Sequence, residues 1–496
     1  MIERYANKEI KQIFADTNKT FFWQEMELAV IKAEEELGYI PAGTHEKISR
    51  VWHEKTTDLE WWKNKDEEIH HDLNAFILER VRHLPLKLQK YVHNKITSYD
   101  TEETPFLQML YQACEIIDGK LTIYQKTLIN FARKNRYTVM IGRTHGQEAE
   151  LKSLGARALS WQADLRVARK SFSDAVVGKL FLSKVSGAVG NYGSISPEVE
   201  KRALEILGFN PFYGSTQILP RVLHAPVAQA LLNMILVLDK IANDVRLNAR
   251  SGRPLLQEPF KKKQTGSSAM PHKKNPIQLE QIEGLARLAK GYTLAITENI
   301  KTWEERSIEQ SSVERVAWPD LFHVVARALD VINKVFTNLT VYRGNMLQEI
   351  IDSRGVYASS EVKEFLKKHL SEKANLDYEG CYRLVQLACF NAFDEVNTFD
   401  PEDEAPKSFQ EAESLLCEKR KNPPKSPISI EEIILTGKLR PNSQLQQANQ
   451  NNVDEYNKIL KDLFQDPEIE KKWHEIFKPS FLLKNEAILF KEIIEQ

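Results

Sequence analysis

Apolar side chains recur at helical spacing along most of this chain. Between residues 18 and 37 they return every three or four positions, and Gly38 with Pro41 ends the segment. Beyond Pro105 the helical runs lengthen, and the alternation typical of strands is scarce. The longer runs are predicted at about 105–136, 147–177, 224–251, 276–302 and 312–341, with shorter ones at 359–370 and 378–397. The pattern therefore predicts an all-α protein.

The long runs predict a helical bundle, because helices of this length seldom stand alone. Each run carries an apolar stripe that must be buried; one such stripe is Leu232, Ile235, Leu238, Ile241 and Val245. We expect three helical domains: residues 1–104, a central long-helix bundle at 105–345 with a loop at 252–275, and a C-terminal domain at 346–496. Because the stripes build the core, functional residues are expected at the helix ends.

The C-terminal domain contains a stretch of different composition at about 400–457. Its proline-rich segments, and the Asn- and Gln-rich residues near 442–452, cannot bury much apolar surface. We therefore expect a partly flexible insertion in this range.

Composition narrows the classes of function. The chain of 496 residues has 68 Lys and Arg against 69 Asp and Glu, which argues against a nucleic-acid-binding or polybasic membrane surface. Cys114, Cys381, Cys389 and Cys417 show no C-x-x-C spacing, so we expect a reducing compartment and no zinc site. No basic start followed by an apolar run is present, and no segment approaches about eighteen consecutive apolar residues. These features favour a soluble, cytoplasmic protein without a membrane or nucleic-acid partner.

The densest group of chemically useful side chains lies at residues 266–276. Here Ser267, Ser268, Lys273 and Asn275 place two hydroxyls, an ammonium and an amide on one segment, which its glycine and prolines keep out of a continuous helix. A solvated lysine-rich linker would explain the charges and the prolines, but not the paired serines together with Met-Pro-His-Lys and Asn-Pro. The run Gly-Ser-Ser-Ala-Met-Pro-His-Lys-Lys-Asn-Pro resembles the signature loop of the fumarase/aspartase superfamily of lyases. The resemblance implies a mobile loop that handles a dicarboxylate.

The loop residues suit an elimination from a succinyl group. This reaction removes a proton from the carbon next to a carboxylate, and the main task is to stabilise the aci-carboxylate that results. Lys273 can supply a point charge and Asn275 an amide donor. A serine oxygen on the loop can take the proton where nearby cations and helix N-termini stabilise its alkoxide.

A second motif, at residues 142–147, contains Thr144 and His145. We expect it just before a helix beginning near Glu148, so that His145 stands at a helix entrance. Imidazole titrates near neutral pH and suits the general acid that protonates the departing nitrogen. A lone histidine is more often a capping or surface residue, but the Thr-His-Gly-Gln setting resembles the second signature of the superfamily. Glu280, on the helix after the loop, can orient His145 and support its charged form.

A third motif, at residues 97–100, offers the hydroxyls of Thr97 and Ser98. Such a run most often caps a helix. Similar turns hold a substrate carboxylate in the lyases of this superfamily, so both interpretations stay open.

Further segments resemble the adenylosuccinate lyase family within this superfamily. They are residues 2–5, 71–76, 216–217 and 306–315, and the resemblance covers most of residues 1–399 and resumes near Asp466. In this family the substrate is a nucleotide monophosphate, or its ribotide precursor, with a succinyl group on nitrogen. A phosphate pocket is therefore implied.

The resemblance also implies a role for each matching residue. Arg4, Tyr5, Arg306, Ser311 and Arg315 match the phosphate-binding positions, where arginine makes charge-assisted hydrogen bonds. Ser267 matches the base and His145 the general acid, while Ser268, Lys273 and Asn275 match the dicarboxylate ligands. The other substrate-binding candidates are His71 and Asp72 with the preceding His70, Gln217 near the succinyl group, Thr97, Ser98 and Thr144. His70 stands where many relatives carry Arg, and Glu103 where they carry Asp.

The function implied is that of a lyase without metal or cofactor. Anti β-elimination would release fumarate from adenylosuccinate, giving AMP, and from succinylaminoimidazole carboxamide ribotide, giving AICAR, in purine biosynthesis. A homotetramer with composite active sites is implied as well. Argininosuccinate lyase, or another member of the superfamily, is an enzymatic alternative that the phosphate-site arginines argue against. A non-catalytic structural protein on the lyase scaffold is an alternative of another class, and the joint presence of Ser267, His145, Lys273 and Glu280 argues against it.

Overall fold

In a computed structural model, residues 1–260, 263–264, 266–267, 269–370, 376–394, 414, 428–442, 445 and 452–494 are described. Helices make up most of this part of the chain, as the all-α prediction requires. The helices are α1 Lys8–Ile13, α2 Asp16–Glu36, α3 Thr44–Glu54, α4 Leu59–Ile69, α5 Asp72–Val81, α6 Leu86–Gln89, α7 Ser98–Lys134, α8 Leu154–Lys179, α9 Pro197–Ile206, α10 Ala225–Leu247, α11 Ile277–Glu298, α12 Ile308–Thr337, α13 Arg343–Asp352, α14 Ser359–Leu370, α15 Tyr378–Asp394, α16 Ile430–Leu435, α17 Val453–Leu463, α18 Pro467–Glu475, α19 Pro479–Leu482 and α20 Ala487–Ile494. The short strands are β1 Val139–Thr144, β2 Gln147–Ser153, β3 Leu182–Ser183, β4 Asn210–Pro211, β5 Leu256–Gln257 and β6 Thr340–Val341.

The described chain divides into two units. Unit 1 comprises Met1–Leu128, Trp161–Arg250 and Leu256–Thr340, and unit 2 comprises Ile129–Ser160, Ser251–Leu255 and Val341–Gln496. The three domains at 1–104, 105–345 and 346–496 stay a prediction beside this division.

Three long helices, α10, α11 and α12, pack on one another in unit 1. On α10 most of the predicted apolar stripe is buried: Ile235, Leu238, Ile241 and Val245 are fully inaccessible, while Leu232 is partly exposed. Each such side chain stabilises the fold by about 1.5–3 kcal/mol relative to exposure. The helix bundle predicted from the periodicity is therefore present.

Helix α10 is also apolar enough to resemble a membrane-spanning helix. The segment Arg221–Leu247 could cross a membrane by length and composition alone, and half of its apolar window is buried inside the protein. Packing of α10 against α11 and α12 explains the apolar composition as that of a core helix.

A second apolar cluster in unit 1 supports the start of α5. Trp23 on α2 meets the ring of Trp62 edge-on at 6.1 Å and that of Phe76 at 5.4 Å. Edge-to-face packing of this kind adds to the burial energy of the rings. The first residue of α5, Asp72, accepts a hydrogen bond from the Trp62 indole at its main-chain oxygen, at 2.8 Å.

Helix α7 begins earlier than predicted. The run expected from about residue 105 starts at Ser98, and Pro105 lies inside the helix. A proline removes one backbone hydrogen bond, but the first turn is tied by Asp100, whose carboxylate accepts from the N–H of Thr97 at 2.9 Å. The turn at residues 97–100 is therefore a helix start in which the Asp100 carboxylate accepts from a main-chain N–H. A capping or substrate-binding role of the Thr97 and Ser98 hydroxyls stays a prediction.

The apolar core of unit 2 is built from its C-terminal helices. It includes part of the range predicted as a partly flexible insertion, since Ile430, Ile433 and Ile434 on α16 are buried in it beside Leu384 and Trp473. The expectation of little apolar burial does not hold for residues 428–442. Most other residues between 400 and 451 lie outside the described residues.

Residues 139–153 form an antiparallel hairpin in unit 2, where a helix was predicted from about 147. Thr144 pairs with Gln147, and between them His145 (φ 54°) and Gly146 (φ 78°) are both left-handed. Two left-handed residues make the type of two-residue turn that matches the twist of a hairpin. The prediction of a helix entrance at His145 is wrong, because pairing with β1 overrides the helix-forming residues of β2; helix α8 begins only at Leu154.

Candidate active site

The candidate site begins where α4 ends and α5 starts. His70 is left-handed (φ 54°) and ends α4. His71 caps α5, since its Nδ1 accepts from the N–H of Asn74 at 3.2 Å. A neutral imidazole that accepts at Nδ1 carries its proton on Nε2. That Nε2 lies 3.5 Å from the hydroxyl of Ser98, so His71 directs its N–H toward the start of α7.

A buried ion pair fixes the turn that precedes Ser98. Asp100 accepts from Lys184 Nζ at 2.5 Å, and both side chains are inaccessible to solvent. The same ammonium donates to the main-chain oxygen of Gln217 at 2.9 Å. One ion pair therefore sets the positions of two predicted substrate contacts, Thr97 through its N–H and Gln217 through its carbonyl. Separating Asp100 from Lys184 would leave a buried charge without a partner, which is strongly unfavourable. The pair therefore holds the two segments firmly together.

Arg306 is held in a defined orientation. Its Nη1 donates to Oε1 of Gln217 at 2.9 Å. Its guanidinium carbon lies 3.9 Å from the centre of the Tyr99 ring. A guanidinium over an aromatic face gains about 0.5–2 kcal/mol. The cation is thus oriented before any ligand arrives.

Ser311 and Arg315 lie one turn apart on α12, which places them on the same helix face. Ser311 is nearly inaccessible, and its hydroxyl donates to the carbonyl of Ile308 at 2.9 Å. Arg315 is more exposed and pairs with Asp72 at 3.0 Å and with Glu102 at 4.0 Å. Asp72, Ser311 and Arg315 line one cavity of about 260 Å³ together with Tyr99 and Glu102. We call His71, Asp72, Ser98, Arg306, Ser311 and Arg315 the helix-start cluster.

A buried charge network lies beneath this cluster. Arg221 donates to both oxygens of Glu103 at 2.8 and 2.9 Å, and to both oxygens of Glu314 at 2.8 and 3.0 Å. All three side chains are almost inaccessible. The arginine thereby ties the start of α7 to the residue next to Arg315, with one guanidinium between two carboxyl groups.

Glu102 is the least compensated carboxyl of the cavity. Burial and the charge of Asp72 raise the pKa of Glu102 to about 7, against the lowering effects of Arg315, Arg306 and Lys19. It therefore titrates near neutral pH. Neither Glu102 nor Tyr99 was picked out from the sequence, and no local pattern distinguishes them.

The signature loop is held mainly by its own backbone. Ser267 Oγ accepts from the N–H groups of Ala269 at 3.3 Å and Met270 at 3.1 Å, and Asn275 Nδ2 donates to the carbonyl of Gly266 at 3.0 Å. A Cβ on Gly266 would lie 1.8 Å from the carbonyl oxygen of Lys273, so only glycine fits there. Ser268 lies outside the described residues.

The loop ends on a firm anchor. Glu258 is 3% exposed and accepts from the N–H groups of Gln278 and Leu279 in the first turn of α11. A carboxylate at a helix N-terminus satisfies donors that otherwise have no partner. The chain on either side of residues 259–276 is thus fixed to one point of unit 1.

Three further candidates of unit 1 line a second cavity of about 1190 Å³: Arg4, Tyr5 and Glu280. The carboxylate of Glu280 pairs with Arg246 at 3.3 Å. The guanidinium of Arg4 lies 6.0 Å from the ring of Tyr5.

Thr144 and His145 belong to unit 2, in the hairpin turn described above. Arg143, beside them, pairs with Glu148 at 3.2 Å and with Glu349 at 3.3 Å. These pairs fix the base of the turn and leave His145 exposed at its tip.

Within unit 1 the structure therefore brings many of the predicted residues together. Asp72, Ser311 and Arg315 line one cavity with Tyr99, and Arg4, Tyr5 and Glu280 line another. Arg306 contacts Gln217 and the Tyr99 ring, and His71 lies beside Ser98. The charge networks under the cluster escaped prediction because Glu103, Arg221 and Glu314 are far apart in sequence.

Comparison with known proteins identifies the class. A family model described as Lyase matches residues 4–291. The fold agrees with two solved structures: a fumarate lyase of Mesorhizobium (TM-score 0.73, 18% identity, 96% of this chain and 99% of that one) and a β-carboxy-cis,cis-muconate cycloisomerase of Acinetobacter calcoaceticus (TM-score 0.72, 20% identity, 99% and 98%). The protein is thus a lyase with a fumarate-lyase-like fold.

Two relatives identify the family to which the chain belongs within this class. The adenylosuccinate lyase of Thermotoga maritima is 35% identical over 382 residues, which span 76% of this chain and 86% of that protein. The adenylosuccinate lyase of Synechocystis is 36% identical over 393 residues, 79% and 89% of the two chains. The chain belongs to the adenylosuccinate lyase family.

Proposed function

We propose that the protein releases fumarate from adenylosuccinate to give AMP, and from succinylaminoimidazole carboxamide ribotide to give AICAR. The observation that carries the proposal is the oriented pair of arginines, Arg306 and Arg315, beside Ser311 at the start of α12. A guanidinium fork matches a phosphate better than any other side chain. Such a site suits a nucleotide and has no use in a lyase whose substrate lacks phosphate.

The remaining residues of the helix-start cluster hold the rest of the substrate. His71 and Ser98 offer an N–H and a hydroxyl from two helix starts, where the helix dipoles favour an anion. Gln217, fixed by the Asp100–Lys184 pair, reaches the succinyl group. Arg4 and Tyr5, which line the second cavity, complete the phosphate pocket of another subunit in the proposed composite site.

Ser267 removes the proton from the succinyl carbon. The N–H groups of Ala269 and Met270 already donate to its oxygen, and such donors stabilise an alkoxide. Lys273 and Asn275, with Ser268, stabilise the dicarboxylate whose charge grows in the transition state. Because these contacts strengthen only as charge develops, they raise the rate rather than the affinity.

His145 protonates the departing nitrogen. Its left-handed turn projects the ring from the tip of a rigid hairpin, with Thr144 beside it. Glu280 supports the charged form of this imidazole from another subunit. The scheme needs no metal and no cofactor.

The active form is a homotetramer whose sites combine residues from several subunits. Large apolar side chains on long helices of unit 1 are exposed in the single chain, among them Ile123 (56%), Val167 (69%) and Leu294 (63%). Burial of such faces between subunits is the usual way to cover them. We place the enzyme in the cytoplasm.

The proposal is tested by a fumarate-release assay on purified protein with adenylosuccinate and, separately, with argininosuccinate. Release from the first substrate alone is expected. Activity on argininosuccinate alone would instead assign the protein to that neighbouring activity. No release from either substrate would favour a non-catalytic scaffold.

A further inference from the structure

Arg315 is not free to meet a phosphate in this chain. Its guanidinium pairs with Asp72 at 3.0 Å, and Glu102 lies 4.0 Å away on the same cavity wall. Two carboxylates from two different helices, α5 and α7, therefore already share one predicted phosphate ligand. A phosphate that binds Arg315 must compete with both.

The two carboxylates are not equivalent. The charge of Asp72 is also stabilised by a hydrogen bond, because its second carboxylate oxygen accepts from the N–H of Leu73 at 2.9 Å. The Glu102 carboxylate accepts no hydrogen bond from the described residues, and its ion pair with Arg315 is long, at 4.0 Å. Glu102 is therefore the carboxylate whose charge the site compensates least.

We propose that Glu102 is an internal counter-anion of the phosphate site: with Asp72 it holds Arg315 before substrate binds, and the substrate phosphate binds by displacing both carboxylates. This inference rests on the proposed function. It makes Glu102 a positioning residue that acts through Arg315 and sets how tightly phosphate is held. The chemistry of elimination takes place elsewhere, on the loop.

The charges around Glu102 decide the direction of the effect. The groups that face it are Asp72 from α5, Arg315 and Glu314 from α12, Arg306 from the segment before α12, Lys19 and Asp16 from α2, Arg221, and its own neighbours Tyr99 and Glu103. Arg221 is committed to Glu103 and Glu314. Lys19 lies 3.6 Å from Asp16, but Asp16 has a closer partner in Lys63 at 2.9 Å. Arg315, Arg306 and Lys19 are therefore the cations that balance Asp72 and Glu102.

The charge of Glu102 changes near neutral pH, because burial and the neighbouring Asp72 raise its pKa to about 7. Below this pH the carboxyl of Glu102 is neutral, so a phosphate that binds Arg315 has to displace only the carboxylate of Asp72. Above it the carboxylate repels an incoming phosphate and competes for Arg315. Substrate phosphate should therefore bind less tightly at high pH because of Glu102.

The first experiment measures kcat and KM for adenylosuccinate at about pH 6, 7 and 8 in the parent, in Glu102→Gln and in a control, Glu198→Gln, which removes an exposed carboxylate on α9. The phosphate has a pKa of its own near 6, but it titrates equally in all three proteins. The ratio of the parent KM to the Glu102→Gln KM should be near one at pH 6 and rise about three- to tenfold by pH 8. The kcat values should stay alike.

Glu102→Asp supplies the conservative rescue, since it restores a carboxylate and should restore part of the pH dependence. A KM ratio that stays flat with pH, while the parent releases fumarate, overturns the role of Glu102 and leaves the proposed function intact. A Glu198→Gln protein that reproduces the Glu102→Gln profile overturns it as well.

The second experiment does not need turnover. Calorimetric titration with AMP in two buffers of different ionisation enthalpy gives the protons taken up on binding. A phosphate beside Glu102 raises the pKa of this carboxyl further, so the parent should take up more protons at pH 7 than Glu102→Gln, by up to about half a proton per site. Equal proton uptake, or no binding of AMP by the parent, would contradict the proposal even if the protein proved to have another activity.

Discussion

The two groups of candidate residues are held in opposite ways. The helix-start cluster rests on buried ion pairs, an aromatic platform and helix caps that connect distant segments of unit 1. Ser267, Lys273 and Asn275 instead lie on a loop where the side-chain hydrogen bonds of Ser267 and Asn275 run within the loop itself. Under the proposed function, the rigid helix-start cluster binds the substrate, and the signature loop closes over it and removes the proton. Substitutions should therefore separate turnover from affinity and stability.

Ser267→Ala should show the largest effect. Only the proton transfer in the transition state is lost, so kcat should fall by orders of magnitude while substrate affinity and the melting temperature stay close to the parent. Steady-state kinetics and thermal unfolding give both values, with the exposed Ser194→Ala as the control. Turnover within a few-fold of the parent would remove Ser267 as the base.

His145→Asn should act in the same way but more weakly. Asparagine tolerates the left-handed turn (φ 54°), so the hairpin is kept and only the acid is lost. General acid catalysis is typically worth about 10²–10⁴-fold in rate. A kcat that does not change would exclude His145 from protonating the leaving nitrogen.

Arg221→Leu should affect stability rather than chemistry. It leaves the buried carboxylates of Glu103 and Glu314 without their partner, which typically costs about 3–5 kcal/mol of unfolding free energy. Arg202→Leu is the matched control, because its pair with Glu36 is exposed and should matter little. Chemical denaturation gives the free energy of unfolding of both variants. Equal losses of this free energy would show that the buried network does not support the helix-start cluster.

Tyr99→Leu should raise KM by a smaller factor, about two- to tenfold, through loss of the platform under Arg306. Tyr99→Phe keeps the aromatic face and should retain most of the affinity. Kinetics with both variants provide the check. If Tyr99→Phe and Tyr99→Leu weaken binding equally, the Tyr99 hydroxyl and not its ring supports substrate binding.

The smallest effect concerns the pH dependence of stability and the ion pair between His93 and Glu27, which lies beside Thr101. Burial lowers the pKa of His93, but the charge of Glu27 and its hydrogen bond at 2.8 Å outweigh this and raise it above the ordinary value of 6.5. The pair then stabilises the fold fully below pH 6.5, and the stabilisation disappears as pH rises through the folded-state pKa. The parent should therefore lose its stability advantage over His93→Asn between acid and alkaline pH. A constant difference in unfolding free energy would contradict the raised pKa.

Sequence periodicity predicted the long helices because their apolar faces pack locally and repeat. Residues 359–370 were predicted as a helix and are one, and four of the five residues in the α10 stripe are buried as expected. The hairpin at residues 139–153 was missed, since the helix-forming side chains of β2 take their conformation from a partner strand. Local propensity cannot report such a partner.

The candidate site was predictable to a different extent. Family resemblance found Arg306 and Arg315, but not what orients them. Tyr99, Glu102 and Arg221 act through contacts between segments that are up to about two hundred residues apart, and no spacing rule connects them. The roles of the site residues are thus predictions from family resemblance, while the charged groups and the ring that support them could be identified only from the fold.

A structure of the protein with AMP and fumarate bound would show both the phosphate site and the position of the loop serine. We expect the phosphate on Arg306, Ser311 and Arg315, with Arg315 released from Asp72, and Ser267 Oγ about 3–3.5 Å from a fumarate carbon. A phosphate bound elsewhere, with Arg315 still paired to Asp72 and Ser267 remote from fumarate, would contradict the proposed roles of these residues.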